Sequence, residues 1–156
     1  EIRLSLVGSE MCIRDSEKHT GPIMAVAGGS GLAPIKAIVE TALFRGLHQP
    51  IHVYFGVHTD QDLYLVEHFM KLAQSYENFH FIPVISKEKT SSWRRGWVTD
   101  AIADDFEDFD GWKAYVAGPP AMVDAARAVL VGRGLRPEDL HADVFFTPEA
   151  LETVDD

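Results

Sequence analysis

Cysteine is almost missing from this chain: one residue, Cys12, in 156. A lone thiol builds no intrachain disulfide framework, and it cannot by itself hold a zinc ion or an iron–sulfur cluster. Positive charge is also short. Lys and Arg number 14 against 24 Asp and Glu, a formal net charge of -10, which argues against nucleic acid or an anionic membrane as a partner. No apolar run approaches the ~20 residues of a membrane-spanning helix. No Ser/His/Asp or Cys/His arrangement marks a nucleophile, so no catalytic side chain is assigned. The seven histidines include His48, His52, His58 and His68. None forms a metal-type pair with a carboxylate on one helix face; they read as surface or hydrogen-bonded residues, and no metal is expected. What remains is an ordinary globular composition, 46% apolar and 24% charged, long enough for one domain with a real core. A reducing cytoplasm is the expected setting.

The first sixteen residues, EIRLSLVGSEMCIRDS, stand apart. They begin without Met, carry no signal-peptide pattern, and resemble the translation of sequencing-adapter DNA. The expectation is that residues 1–16 are not native, that 17–148 form the domain and that 149–156 are a tail. The alternative for the first segment is an edge strand over Ile2–Val7.

From Gly21 onward strands and helices alternate. Ile23–Ala27 is a short apolar run without polar alternation, as in a strand buried on both faces. Ala33–Arg45 carries Ile35, Ile38, Val39 and Ala42 at helical spacing and ends at Gly46. Ile51–Val57 is the second strand. Asp62–Gln74 is a helix with Leu65, Phe69 and Leu72 on one face, and Phe79–Ile85 is the third strand. Ser86–Gly96 is a polar, basic loop. Val98–Phe106 is a short helix capped by Thr99 or Asp100. Trp112–Ala117 is the fourth strand, and Ala121–Arg133 a helix closed by Gly134. A helical turn at Pro137 leads to the fifth strand, His141–Phe146. This order predicts a parallel sheet in a doubly wound α/β fold, whose ligands bind beyond the carboxyl ends of the strands.

MAVAGGSGLAP, Met24–Pro34, places three glycines between the first strand and the first helix. Unpaired N–H groups and the positive end of the helix dipole meet there, and missing side chains let a pyrophosphate approach the backbone. Pro34 stands where G-x-G-x-x-G has its third glycine, and no Lys-Ser/Thr follows, which excludes a P-loop. A turn that merely joins strand to helix is the alternative. YVAGPPAMV, Tyr115–Val123, repeats the arrangement at the fourth strand, with Gly118, Pro119 and Pro120 before a helix. In a doubly wound sheet these two strands can be neighbours. Two loops of small residues would then face each other across one crevice and suit a flat ring.

GGSGLAP with AGPPAMV about ninety residues later resembles the pyridine-nucleotide domain of the ferredoxin–NADP reductase superfamily, and within it the reductase components of aromatic-ring oxygenases. The resemblance spans Gly21 to Pro148. It implies a Rossmann-like sheet of five parallel strands in the order 3-2-1-4-5. It implies that Gly28, Gly29, Ser30 and Gly31 line the pyrophosphate and nicotinamide, and that Pro34 opens the helix. Gly118, Pro119 and Pro120 would shape the nicotinamide pocket with Met122 beside it. Ser86 and Lys87 fall where the family handles the adenosine ribose and any 2′-phosphate. Arg95 in the same loop and Phe146 at the end of the fifth strand complete the candidate set. The family often has a cysteine just before its Gly-Pro, near the hydride-transfer site; Ala117 replaces it here, which puts the efficiency of transfer in question. The Arg-x-Tyr-Ser/Thr motif of the family's flavin barrel and any cysteine cluster for a [2Fe–2S] centre are missing from the chain.

The resemblance therefore implies an NAD(P)H module of a flavin-dependent reductase. Its partners would be the FAD domain of the parent protein and a ferredoxin or oxygenase acceptor. A flavin reductase releasing reduced flavin is the alternative enzyme, and a nucleotide-binding module with no redox role the alternative class. Cofactor preference is pulled two ways. SKEKTSSWRRG offers Ser86, Lys87, Lys89, Arg94 and Arg95 against one acid, Glu88, which favours a 2′-phosphate. Lys is a poorer bidentate phosphate ligand than Arg, and the oxygenase reductases mostly use NADH; NADH is the expectation, with NADPH tolerated. Trp93 and Trp97 stack on adenine or a guanidinium, or pack against the third strand's loop. The acidic run Asp104, Asp105, Glu107, Asp108 and Asp110 reads as a solvated helix end, with a partner-docking patch as the alternative.

Overall fold

An apolar strand without polar alternation is stable only when both of its faces are covered, and IMAVAG, Ile23–Gly28, is buried along its whole length. The computed structural model of the protein, which describes residues 3–4, 19–88 and 91–145, sets this strand at the centre of a sheet. The elements are β1 (Arg3–Leu4), β2 (Ile23–Gly28), α1 (Leu32–Phe44), β3 (Ile51–Val57), α2 (Val66–Ser75), β4 (Phe79–Ile85), β5 (Arg94–Arg95), α3 (Val98–Asp105), β6 (Lys113–Gly118), α4 (Pro120–Gly132) and β7 (Leu140–Phe145). The strands run in the order β1-β7-β6-β2-β3-β4-β5.

The five expected strands appear in the expected order, all parallel. The count is corrected at the edges. Arg94–Arg95, read as loop, forms a sixth parallel strand against Val84 and Ile85. Two arginines carry no apolar signal, and charge on an edge strand blocks pairing with another sheet. On the other side Arg3–Leu4 pairs antiparallel with Phe145 and Val144. The rest of residues 1–18, and 146–156, lie outside the described residues.

The alternation of β2 divides the core in two. Ile23, Ala25 and Ala27 pack with Ile35 and Ile38 of α1 and Phe69 and Leu72 of α2. Met24 and Val26 pack with Val98 and Ile102 of α3 and Val123 and Leu130 of α4. Both longer helices close with paired carbonyls. Gly46 N and Leu47 N donate to Leu43 O and Ala42 O, and Gly134 N and Leu135 N to Val131 O and Leu130 O, the bonding of a Schellman end.

Other boundaries also shift. The helix expected from Asp62 begins at Val66. Asp62 instead ends a short 3-10 turn, where the Thr59 backbone N–H and hydroxyl both donate to its Oδ2 at 3.1 and 3.0 Å. Leu65, expected on the buried face of that helix, caps it at φ 59° and is 37% exposed. Trp97, rather than Thr99 or Asp100, precedes α3, with no side-chain cap bond. β6 begins and ends one residue later than expected, and β7 begins one residue earlier.

His52 is partly buried among rings. It stacks on His80 at 4.7 Å and on Trp112 at 5.7 Å, and meets Phe106 edge-on at 5.1 Å. Burial, seconded by His80, pushes its pKa down from 6.5 to about 4, against a smaller opposing pull from Asp105. Above pH 6.5 the imidazole is neutral folded or unfolded and contributes no pH dependence. Between pH 6.5 and about 4 the unfolded chain takes up a proton that the folded one refuses, so stability falls as the pH drops. Urea unfolding across this window is expected to show a loss in the wild type that His52→Phe lacks, of order 1–2 kcal/mol after allowance for solvent screening. Equal slopes in the two proteins would refute this assignment.

Candidate functional site

Strand register brings the two glycine loops together. β2 and β6 pair up to Ala27 and Ala117, so Gly28 and Gly118 end their strands side by side. Gly29–Gly31 form a 3-10 turn that runs directly into α1. Pro34 is the third residue of α1 and Pro120 the first of α4, positions whose N–H groups have no partner within the helix.

The glycines divide the work. A Cβ on Gly31 would lie 2.0 Å from the Ala117 carbonyl oxygen, so this residue lets the turn seat on β6. Cβ atoms on Gly28 and Gly118 would lie 2.4 Å from Met122 Sδ and 2.6 Å from Met122 Cε; the thioether fills the space those side chains would take. Only Gly29 of the turn faces open space, with nothing within 4 Å of a Cβ, and it sits at φ +54°.

Beyond these strand ends lies a cavity of about 540 Å³, within the range of small-molecule sites. Gly28, Gly29, Ser86, Pro119 and Met122 of the expected residues line it. Ser30, Lys87 and Arg95 are exposed outside that lining, Pro34 and Pro120 are half-buried, and Gly31, Ala117 and Gly118 are buried behind it. Phe146 lies outside the described residues. The apolar wall comes from Val57, Val84 and Val98. The cavity thus combines an open glycine at the start of the turn, an apolar wall of three valines, and hydroxyl and imidazole groups at the far end.

At that far end the His58 imidazole and Ser86 hydroxyl are hydrogen-bonded at 2.8 Å, with Trp97 edge-on to His58 at 6.3 Å. Trp97 is 57% exposed on the cavity rim, whereas Trp93 packs against the core. Tyr64 lines the other side. Its hydroxyl donates to the Gly29 carbonyl at 2.8 Å and its ring meets Phe55 edge-on. Sequence reasoning passed over His58 and Tyr64 as site residues. The visible signal was position: both follow the second strand, whose end is part of the same crevice.

The basic loop is less available than its composition implies. Arg94 donates to Asp105 at 2.6 Å and to the Ala101 carbonyl, and Tyr54 donates to the same Asp105. The Arg94 guanidinium holds the Asp105 carboxyl below its ordinary range, with Tyr54 assisting. Burial and the Asp105 carboxylate push the Tyr54 phenol up. Asp105 is thus tied to its neighbours, while the acidic run as a whole stays exposed, as expected of a solvated helix end. Arg95 pairs with Ile85, whose side chain belongs to the α1–α2 layer. No Lys or Arg lines the cavity among the described residues, while Asp62, whose Oδ2 accepts from Thr59, does. Nor does any group of three or more His, Cys, Asp or Glu among them suit a metal ion. No helix among them is long and apolar enough to cross a membrane.

Residues 25–128 match the oxidoreductase NAD-binding domain family. The chain is 43% identical over 129 residues to the reductase component of the naphthalene 1,2-dioxygenase/salicylate 5-hydroxylase systems of Ralstonia, covering 82% of this chain and 39% of that protein. It is 43% identical over 131 residues to the naphthalene 1,2-dioxygenase system reductase component of Pseudomonas putida, covering 83% and 40%. The crystal structure of Amycolatopsis cytochrome P450 reductase GcoB superposes with a TM-score of 0.79 at 36% identity, covering 83% of this chain and 39% of that one. The chain spans about two fifths of the length of these relatives.

Proposed function

The chain belongs to the oxidoreductase NAD-binding domain family, and from that premise we propose that it holds NAD(P)H across the carboxyl ends of β2, β3, β4 and β6 and presents the nicotinamide to FAD bound outside these residues. The observation that carries this is the seam between β2 and β6. Gly29 stands open at a helix start, beside a pocket walled by Pro119 and Met122. When bound, the dinucleotide supplies a hydride. The protein's own residues bind and orient. The amides opening α1 at Gly29, Ser30 and Gly31 face the pyrophosphate. Gly118, Pro119, Pro120 and Met122 hold the nicotinamide ring against the end of β6, with Ala117 behind it. Ser86 serves the adenosine ribose from within the cavity, with Lys87 and Arg95 exposed beyond its lining. Electrons would pass from the flavin to an iron–sulfur carrier or oxygenase, as the names of the relatives suggest.

We further propose NADH as the preferred cofactor. A 2′-phosphate needs a cation, and a carboxylate suits a free ribose hydroxyl. Arg94 is committed to Asp105, and a carboxylate, Asp62, lines the cavity. Calorimetric titration with each nucleotide tests both statements. NADH is expected to bind, and at least as tightly as NADPH. A Kd for NADPH more than tenfold lower, about 1.4 kcal/mol, would reverse the preference. Binding of neither would overturn the reading.

A further inference from the structure

We propose that Tyr64 is a positioning residue of the dinucleotide site: its hydroxyl clamps the glycine turn so that the amides opening α1 stay aimed at the cavity. The proposal rests on the dinucleotide reading above.

Gly31 seats the far end of the turn on β6, but its first residue has no such support. Glycine explores more backbone conformations than any other residue, and Gly29 has no neighbour within 4 Å of the Cβ position. Neither the turn nor α1 has a side-chain cap, since Gly28 and Gly31 stand at the two cap positions. Tyr64 supplies what they cannot. It comes from 35 residues further along the chain and donates its only O–H to the Gly29 carbonyl. One hydroxyl therefore ties the first residue of the turn to the segment that leads into α2. With that proton given to Gly29, Tyr64 has none to donate to a ligand; it acts through the turn.

Tyr64 is itself held. Its ring stands at 89° to Phe55, centroids 5.4 Å apart, and Phe55 is fully buried in β3. Next in the chain, Leu65 occupies the left-handed region at φ 59°, the only non-glycine among the described residues at positive φ. A leucine there is strained, and such strain persists where the surroundings demand it. Here it separates Tyr64 from the helical path of α2. A tyrosine phenol is already protonated, and so a donor, at neutral pH, and burial pushes its pKa up further. A turn ordered before the ligand arrives spares the ligand that ordering cost.

Tyr64→Phe keeps the ring and its contact with Phe55 and removes only the hydroxyl. In the variant, the Kd for NADH is expected to rise about tenfold while that for adenosine, which has no pyrophosphate, stays unchanged. In ligand-free protein, amide exchange at Ser30, Gly31 and Leu32 is expected to accelerate, with Tm held within about 3 °C. Unchanged NADH affinity, an equal loss for adenosine, or unchanged exchange at these amides would each overturn the proposal. If the wild type bound no NADH, the dinucleotide reading would fail first and take this one with it; the exchange measurement tells the two failures apart.

Discussion

Gly31→Ala is expected to destabilise the protein by about 3 kcal/mol, the upper end for overpacking. Its Cβ would sit 2.0 Å from the Ala117 carbonyl oxygen and 2.5 Å from that carbonyl carbon. Both belong to the backbone of a fully buried central strand, so neither can rotate away. The turn would have to lift from β6, or β6 bend. For a chain of this length the change corresponds to a fall in Tm of roughly 6–12 °C. Gly28→Ala is the control. Its obstacle at 2.4 Å is Met122 Sδ, in a flexible side chain that can change rotamer, and a loss below about 1 kcal/mol is expected. Thermal or urea unfolding of the two variants decides the matter. Equal losses would mean that the close packing of the turn on β6 is not what Gly31 provides.

Gly29→Val is expected to remove nucleotide binding, raising the Kd for NADH more than a hundredfold. The mechanism differs from that at Gly31, because here the space is empty in the protein. A branched side chain would stand where the pyrophosphate must approach. The substitution also carries a structural cost of about 1–2 kcal/mol, since φ is +54° and a β-branched residue is poorly tolerated there. Gly29→Ala shares most of that backbone cost with far less bulk. Calorimetry on both variants separates the contributions: a deep loss in Val with a shallow one in Ala marks steric exclusion. Wild-type affinity in Gly29→Val would reduce the glycine turn to a connector.

The two glycine loops were legible because glycine and proline punctuate buried apolar runs, and the strand order placed them at one crevice. Which glycine opens onto the cavity was not legible. That Gly31 belongs to Ala117, and Gly28 to Met122, follows from the register of β2 on β6 and the approach of α4, both tertiary facts. The sixth strand was hidden because Arg94 and Arg95 satisfy no hydrophobic period. Arg94 was counted among the loop charges favouring a 2′-phosphate, although its partner Asp105 stood eleven residues on, in a run whose acids were treated together. Leu65 was misplaced for a local reason that the sequence did hold. Thr59 and Asp62 have capping-box spacing, which places a start at Asp60 rather than at Asp62, though what starts there is only a single 3-10 turn. Leu65 then looked buried because Phe69 and Leu72 continue its period.

The order of the strands has a kinetic consequence. Ile23 pairs with Ile51, 28 residues on, and with Lys113, 90 residues on. Closing the longer loop costs about 1 kcal/mol more chain entropy than closing the shorter. β2, β3 and β4 can therefore associate as a local unit while β6 is still a free strand, and the join between β2 and β6 forms late. The cavity lies on that join, so it comes into being only as the sheet completes. Contacts made after the transition state slow unfolding without speeding folding. Gly31→Ala should accordingly raise the unfolding rate and leave the folding rate nearly untouched; a slowed folding limb would place the join in the nucleus instead.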